Sequence, residues 1–318
     1  MSTTEHQQAL PATSTTSAAA ATATAARGGG VLGRAPAPVV CVLAMLAVQT
    51  GLALAIHLFG SLGVLGTSFL RLCCAAVILL AATRPRLRGR SARDLAVAAL
   101  LGAFSAGMTL FFALASDRLP LGTAATIEFL GPLGVALALS RRLGHLAWAA
   151  LAAGGVVLLT LVGGGGLGHR LDLTGLAFAA AAACCYAGYI LATNRVGAVF
   201  EGFAGLAVSI TVGALVLAPF GLGQAWHGLA HSGHPLALLA ATAGVALLLP
   251  VIPYVLEMSA LRRLSNRVFS ILLSLEPAVS ALVGLLVLGQ LLGWAQLLGI
   301  ACVVGASAGA TLTSRQSV

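Results

Sequence analysis

The 318-residue chain contains no Lys, and only 8% of its residues are charged. A soluble domain carries about 25% charged residues, so this scarcity excludes a soluble fold. The zinc-peptidase pattern HExxH does not occur, and without Lys the chain cannot carry the phosphate-binding loop GxxxxGK[ST]. We therefore expect neither an enzyme nor a bound cofactor.

What the chain does contain is apolar sequence, with 59% hydrophobic residues and a mean hydropathy of +1.03. Ten apolar stretches follow one another from Pro38 onward, each close to the roughly 20 residues that a membrane-spanning helix needs. They predict an all-α integral membrane protein with ten transmembrane helices and short connections. The predicted spans are 39–59, 64–83, 95–115, 121–140, 145–163, 173–193, 203–221, 236–258, 268–289 and 291–313.

Residues 1–37 are rich in Ala, Thr and Ser and predict a disordered tail. No apolar core precedes Val39, so the tail does not fit a signal peptide. The six Cys residues all fall in apolar spans, where we expect them to pack rather than to bind metal or form bridges.

The Arg residues indicate the orientation of the chain. If the N-terminus is cytoplasmic, fourteen of the 17 Arg residues lie in cytoplasmic segments, whereas Arg118 and Arg170 lie outside. Cytoplasmic loops of membrane proteins carry this excess of positive charge. The pattern predicts a multi-pass protein of the cytoplasmic membrane with both termini inside. It also explains the net charge of +9 as topology rather than as nucleic-acid binding.

A weak internal repeat divides the chain. A shift of 145 residues aligns Arg118-Leu119 with Arg263-Leu264 and Pro132 with Pro277. Each copy would hold five helices, and because five is odd the second copy would be inserted upside down. We predict two inverted repeats, residues 38–168 and 169–318, an arrangement typical of secondary transporters with a midplane site.

Three ionisable residues fall near the middle of predicted spans: Arg71, Glu128 and Glu276. A charge at the bilayer centre costs about 2.5–3.5 kcal/mol on insertion scales, so each is a candidate for function. Both Glu residues lie beside a helix-weakening Pro. They could bind a proton or an amine, or hydrogen-bond a neighbouring helix. Arg71 could anchor a substrate carboxylate, or form an internal ion pair with one of the Glu residues.

Weaker candidates for a cavity are Tyr186, Tyr254 and Gln49. Tyr186 and Tyr189 share a helix face and could line a cavity or simply pack. We expect Glu257 to form a surface ion pair with Arg262 or Arg263.

Two further patterns concern metals and assembly. His227, His231 and His234 have helical spacing, but the Gly and Pro residues around them argue against a rigid metal site. Gly305 and Gly309 form a small-residue face that could support a homodimer.

Several runs are similar to the drug/metabolite transporter superfamily and to its EamA-type, threonine/homoserine exporter-like branch. The runs are Leu119–Gly122, Glu128–Leu133, Ser140–Arg142, Asp172–Gly175, Ala183–Tyr186, Pro253–Met258, Leu261–Arg267 and Ser274–Ala278. The resemblance covers about residues 38–314 and implies export of small amino acids or related metabolites by proton antiport. Where the family usually has Leu-Gly-Glu, this chain has Leu288-Gly289-Gln290, which we interpret as a cap or turn.

Two other functions remain open at this point. A multidrug or cationic-compound exporter of the same superfamily would share the fold, although Arg71 argues against cations. A membrane-embedded lipid-handling protein would need a nucleophile, a metal set or a head-group cavity.

Overall fold

The computed structural model of the chain describes residues 35–85, 91–138, 145–159, 172–199, 204–261 and 263–313. Within these residues the chain forms thirteen α-helices and one π-helical turn, and no strand. The predicted tail lies almost wholly outside the described residues. The helices are α1 (Ala37–Leu62), α2 (Val64–Thr83), α3 (Ala92–Ser116), α4 (Leu121–Glu128), α5 (Leu130–Ala138), α6 (His145–Val157), α7 (Leu173–Val199), α8 (Ala204–His231), α9 (Pro235–Ala246), α10 (Ile252–Leu261), α11 (Asn266–Leu273), α12 (Glu276–Leu288) and α13 (Trp294–Thr313), with the π-helical turn Leu247–Val251 between α9 and α10.

Nine helical stretches of the described chain are long and apolar enough to cross a bilayer. Three of them are pairs of short helices, α4 with α5, α9 with α10 and α11 with α12. This confirms the predicted all-α, multi-pass membrane class. The predicted fifth span corresponds to the shorter α6, and the end of that span (residues 160–163) lies outside the described residues.

Helix ends agree with the predictions where glycine sets them. Helix α2 has the predicted bounds, and Gly63, at φ 69°, separates it from α1. Gly289, at φ 65°, ends α12. Glycine adopts this left-handed conformation without the steric cost that a side chain brings.

Helix α8 ends ten residues beyond the predicted end of its span, because the helix continues through Gly221. A Cβ at Gly221 would overlap Phe69 and the Leu65 carbonyl, so this glycine allows α2 to approach α8 closely. The extension carries His227 and His231, whose rings stack 4.1 Å apart.

The helices pack in pairs. Helix α2 lies along α8, and α3 lies along α7; further pairs are α4 with α12, α6 with α13 and α1 with α10. Small residues allow these close contacts, as at the buried Ala75, Ala106 and Ala207 of one apolar cluster. A second cluster joins α1, α3, α4, α7 and α12 around Leu121 and Phe112.

Two Gln side chains cap helices that are distant in sequence. The Gln290 Oε1 accepts a hydrogen bond from the Leu121 N–H at 2.8 Å, at the start of α4. The Gln224 Oε1 accepts from the N–H groups of Leu65 and Gly66 at 3.1 and 3.2 Å, at the start of α2. The interpretation of Gln290 as a cap is therefore confirmed.

Asp172 stabilises the start of α7 at one end of the bundle. Its Oδ1 accepts from the Gly175 N–H at 2.8 Å, and its Oδ2 lies 3.2 Å from Arg118 Nη1. The Gly175 N–H, and after it the Arg118 guanidinium, lower the pKa of Asp172. The pair also ties the loop before α4 to α7.

The glycine face of α13 packs within the chain. Gly309 is buried, and a Cβ there would overlap the Trp148 indole of α6. This part of the face that we expected at a dimer contact is therefore occupied by the chain's own α6. Trp148 also differs from the exposed Trp226 and Trp294, since it packs into a cluster with Leu133 and Ala306.

Candidate functional site: a carboxylate cavity at three helix breaks

Three spans are broken, and each break begins four residues before a Pro. Helix α4 ends at Glu128, four before Pro132; α9 ends at Ala246, four before Pro250; α11 ends at Leu273, four before Pro277. A Pro ring clashes with the carbonyl of the residue four positions earlier and removes the hydrogen bond to it. A Pro at this spacing accounts for where these three helices stop, whereas Pro219 lies inside the continuous helix α8.

The breaks lie beside ionisable groups. Glu128 is the last residue of α4 and Glu276 is the first residue of α12. In the break between α9 and α10, Leu249 has non-helical dihedrals of φ −154° and ψ 107°. Its carbonyl is therefore turned out of the helical hydrogen-bond pattern.

A cavity of about 210 Å³ lies among these breaks. We call this space the carboxylate cavity. Its wall includes five of the six residues that the sequence proposed for the site. They are Arg71, Glu128, Tyr186, Tyr254 and Glu276. The structure thus brings together side chains from α2, α4, α7, α10 and α12.

Arg71 is 5% exposed, and its Nη1 donates a hydrogen bond to the Leu249 carbonyl oxygen at 3.4 Å. Within the described residues it forms no ion pair with Glu128 or Glu276, contrary to one of the alternatives above. The broken helix supplies the acceptor instead. Because a guanidinium has five N–H donors, it keeps donors for a ligand in the cavity.

Glu257 and Tyr189 also line the carboxylate cavity. The expected surface position of Glu257 is wrong, because this residue lies on the cavity wall with the other two carboxylates. Arg262, one of its two expected partners, lies outside the described residues. The sequence held a signal, since Pro253, Tyr254 and Glu257 share one helix face by their spacing.

Gln49 is not on this wall. It is 1% exposed, and its Oε1 has no hydrogen-bond partner among the described residues. Its neighbours Val48 and Leu52 are the α1 residues that reach the cavity.

The charge of the wall is unbalanced. It carries three carboxyl groups and one guanidinium among its described residues. Burying unpaired charge in a low-dielectric interior is costly, so such a set favours uptake of a cation or a proton. The single guanidinium can in turn hold a carboxylate.

One match to an enzyme pattern has no enzymatic context here. The run Gly305–Gly309 reads Gly-x-Ser-x-Gly, which in hydrolases forms a sharp strand-to-helix turn. In this chain it lies inside α13, where the Thr311 hydroxyl donates a hydrogen bond to the backbone carbonyl of the buried Ser307.

Comparisons with known proteins agree with this architecture. A profile of the EamA-like transporter family matches residues 173–312. The threonine/homoserine exporter RhtA of Escherichia coli strain K12 is 41% identical over 280 residues, covering 87% of this chain and 92% of the relative. RhtA of Salmonella typhimurium strain LT2 is 40% identical over the same shares. A solved crystal structure, 22% identical, matches the fold with a TM-score of 0.58 over 88% of this chain and 98% of its own.

Proposed function

The chain belongs to the drug/metabolite transporter superfamily, in the branch of the threonine/homoserine exporter RhtA, and on this premise we propose that it exports small amino acids of the threonine or homoserine type in exchange for protons. The observation that carries the proposal is the carboxylate cavity, where Arg71, Glu128 and Glu276 line one space beside broken helices. A zwitterionic amino acid needs a cation for its carboxylate and an anion for its ammonium group. The cavity offers both.

In this proposal Arg71 binds the substrate carboxylate, and Glu128 or Glu276 binds the ammonium group or the proton. The Leu249 carbonyl accepts a hydrogen bond from Arg71 at 3.4 Å. A substrate carboxylate would then add to this contact or replace it. Tyr186 and Tyr254 complete the wall around the ligand.

The fold we propose for transport has ten spans in two inverted repeats of five, residues 38–168 and 169–318. The helix contacts support it. With the spans numbered in order, spans 2 and 7, 4 and 9, and 5 and 10 pack as pairs, as repeat mates would across a twofold axis. Span 3 packs on span 6, and its repeat-related counterpart, span 8, packs on span 1. The helix breaks in spans 4 and 9 also correspond under the 145-residue shift.

We further propose that both termini are cytoplasmic and that the two repeats alternate access to the cavity. The fourteen Arg residues that this orientation assigns to the cytoplasm support the first point. The helix breaks support the second, since transporters move around discontinuous helices at the midplane.

Counterflow in proteoliposomes tests the proposal. The purified chain is reconstituted with unlabelled threonine or homoserine inside, and labelled amino acid is added outside, with and without an imposed pH gradient. We expect labelled substrate to accumulate, and net efflux to accelerate when the gradient supplies protons. No exchange of either amino acid would contradict the substrate class, and exchange without any response to the gradient would contradict proton antiport.

One observation favours a second candidate, the export of cationic compounds. Glu257 adds a third carboxylate to a wall that holds one Arg. If the excess of carboxyl groups on the wall selects the charge of the substrate, the protein should carry cations as well as zwitterions.

A resistance panel separates the two candidates. Cells with and without the gene are exposed to cationic drugs and to toxic threonine analogues. Amino-acid export predicts resistance to the analogues alone. Drug export predicts resistance to the cations, which the Glu257→Gln variant would lose.

A further inference from the structure

A second cavity lies next to the carboxylate cavity. Its volume is about 530 Å³, against about 210 Å³ for the carboxylate cavity. Its walls come from α5, the second half of α7, α11 and the end of α13. Tyr186 and Tyr189 are the two residues that the described walls of both cavities share. The two tyrosine side chains therefore stand between the spaces.

The second cavity suits passage better than tight binding. Its described wall is largely apolar, with no charged side chain. Besides the two shared tyrosines, its hydroxyl residues are Thr193, Ser270, Ser307 and Thr311. A polar solute could cross such a space with water, but would find no charge to hold it.

The partition consists of side chains on a fixed helix. The rings of Tyr186 and Tyr189 have centroids 6.4 Å apart and planes tilted by 59°. Behind them, a Cβ at Gly188 would overlap the Phe104 ring, so α7 lies tightly on α3. Opening between the cavities therefore requires the tyrosine rings to rotate, or the opposite wall to move.

The opposite wall includes α11, which a helix break separates from α12 and Glu276. Helix α5 is tied to α7, because Gly131 lies against the Ala183 carbonyl. Helix α11 and Glu276 therefore lie on opposite sides of the break at Ser274 and Leu275.

The other side of the carboxylate cavity is nearly closed. Beyond Arg71 lies a void of about 20 Å³, close to the size of one water. Thr67 and Ser116 lie on its wall, and their buried hydroxyls have no partner among the described residues. The structure is therefore wide on the tyrosine side of the carboxylates and narrow on the Arg71 side.

We propose that the second cavity is the vestibule through which substrate reaches the carboxylates, and that Tyr186 and Tyr189 form the gate between them. The inference rests on the proposed function. In the proposed orientation this vestibule is on the cytoplasmic side, because α5 ends and α11 begins there. The vestibule takes the same small zwitterion as the carboxylate cavity, in hydrated form.

Thiol labelling tests the vestibule without any substrate. The six native Cys residues are replaced, and transport by the resulting chain is verified. Single Cys residues are then introduced as Ser307→Cys in the vestibule, Ser105→Cys in the carboxylate cavity, and Leu286→Cys on the exposed face of α12 as a lipid-facing control. A membrane-impermeant thiol reagent is added to oriented vesicles from one side at a time.

We expect the reagent to modify Ser307→Cys from the cytoplasmic side and to leave Leu286→Cys unmodified. Ser105→Cys should react slowly from that side. Replacing both tyrosines by Ala should raise its rate about tenfold or more, because a closed gate leaves the open state at about 0.1–10%. Replacing both by Phe keeps the rings and should leave the rate unchanged.

No labelling of Ser307→Cys from the cytoplasmic side would overturn the vestibule. Equal labelling of Ser105→Cys with and without the tyrosine rings would overturn the gate. If the double Ala variant does not fold, Tyr189→Ala alone serves the same comparison. A failure of the proposed function would give a different result. The unmodified chain would then show no amino-acid counterflow, while the labelling pattern of the Cys variants persisted.

Discussion

Arg71 and Leu249 lie 178 residues apart in the chain, and the guanidinium of one reaches the carbonyl of the other at 3.4 Å. The contact joins the middle of an intact helix to the break in another. It holds the guanidinium at the wall of the carboxylate cavity, where Arg71 forms no ion pair with the three Glu residues of the described wall. A substrate carboxylate would therefore meet a cation that no described acidic side chain neutralises.

We predict that Arg71→Gln weakens amino-acid transport chiefly through KM. Hydrogen bonds to charged groups contribute about 1.5–3 kcal/mol, which corresponds to a rise in KM of about 10–100-fold. Arg71→Lys should give a smaller rise, because it keeps the charge and loses the planar fork. Initial rates of labelled threonine transport in proteoliposomes measure both. Threoninamide, which lacks the carboxylate, is the control substrate; an equal loss for both substrates would refute the anchoring role.

Glu128 and Glu276, beside the helix breaks, should affect coupling to the pH gradient more than exchange of substrate. We expect Glu128→Gln or Glu276→Gln to abolish acceleration by a pH gradient, because the amide cannot carry a proton. In at least one of the two, counterflow should persist. The exposed Asp117→Asn is a matched control for loss of a carboxylate elsewhere. Wild-type responses to the gradient in both Glu variants would exclude these residues from coupling.

The hydrogen bond between Gln290 and the start of α4 predicts that Gln290→Ala is less stable than the unmodified protein. In Gln290→Ala the N–H of the buried Leu121 loses its partner, which costs about 1–3 kcal/mol. Gln224→Ala, whose hydrogen bonds are more exposed, should cost less. Gln290→Glu restores the residue usual in the family and should keep the cap, since a carboxylate accepts the same bond at a helix N-terminus. Thermal unfolding in detergent ranks the three, and an unchanged midpoint in Gln290→Ala would contradict the cap.

Gly305 and Gly309 of α13 should respond differently to substitution by Ala. Gly309→Ala drives a methyl group into the Trp148 indole, and overpacking of this kind costs about 1–3 kcal/mol. Gly305→Ala should be tolerated, because the nearest atom to its Cβ, from Leu151, would be 4.0 Å away. Unfolding midpoints of the pair measure the difference directly, and equal midpoints would refute the packing of α13 on α6.

Much of the fold follows from the sequence because a bilayer leaves few choices. Apolar runs must be helical, and their lengths predicted α2 to the residue. The breaks at Glu128, Ala246 and Leu273 each lie four residues before a Pro. This spacing alone does not locate a break, because Pro219 lies inside the continuous helix α8.

The side of each helix that faces the cavity could not be predicted in the same way. A helix that is apolar all round gives no periodic signal for the side that meets a cavity. Gln49 was expected at the site because it is polar, yet it is buried elsewhere. Glu257 was assigned to the surface because Arg262 and Arg263 follow it, and the orientation of α10 decides otherwise. The predicted span ended at residue 221, whereas Gly221 lies inside α8 and allows close contact with Phe69.

The caps at Gln224 and Gln290 have one more consequence. An amide has no ionisable proton, so these two contacts keep their strength whatever the acidity on either side of the membrane. They fix the first turns of α2 and α4, the helices that carry Arg71 and Glu128. Structural adjustment that follows proton uptake must therefore occur beyond those first turns.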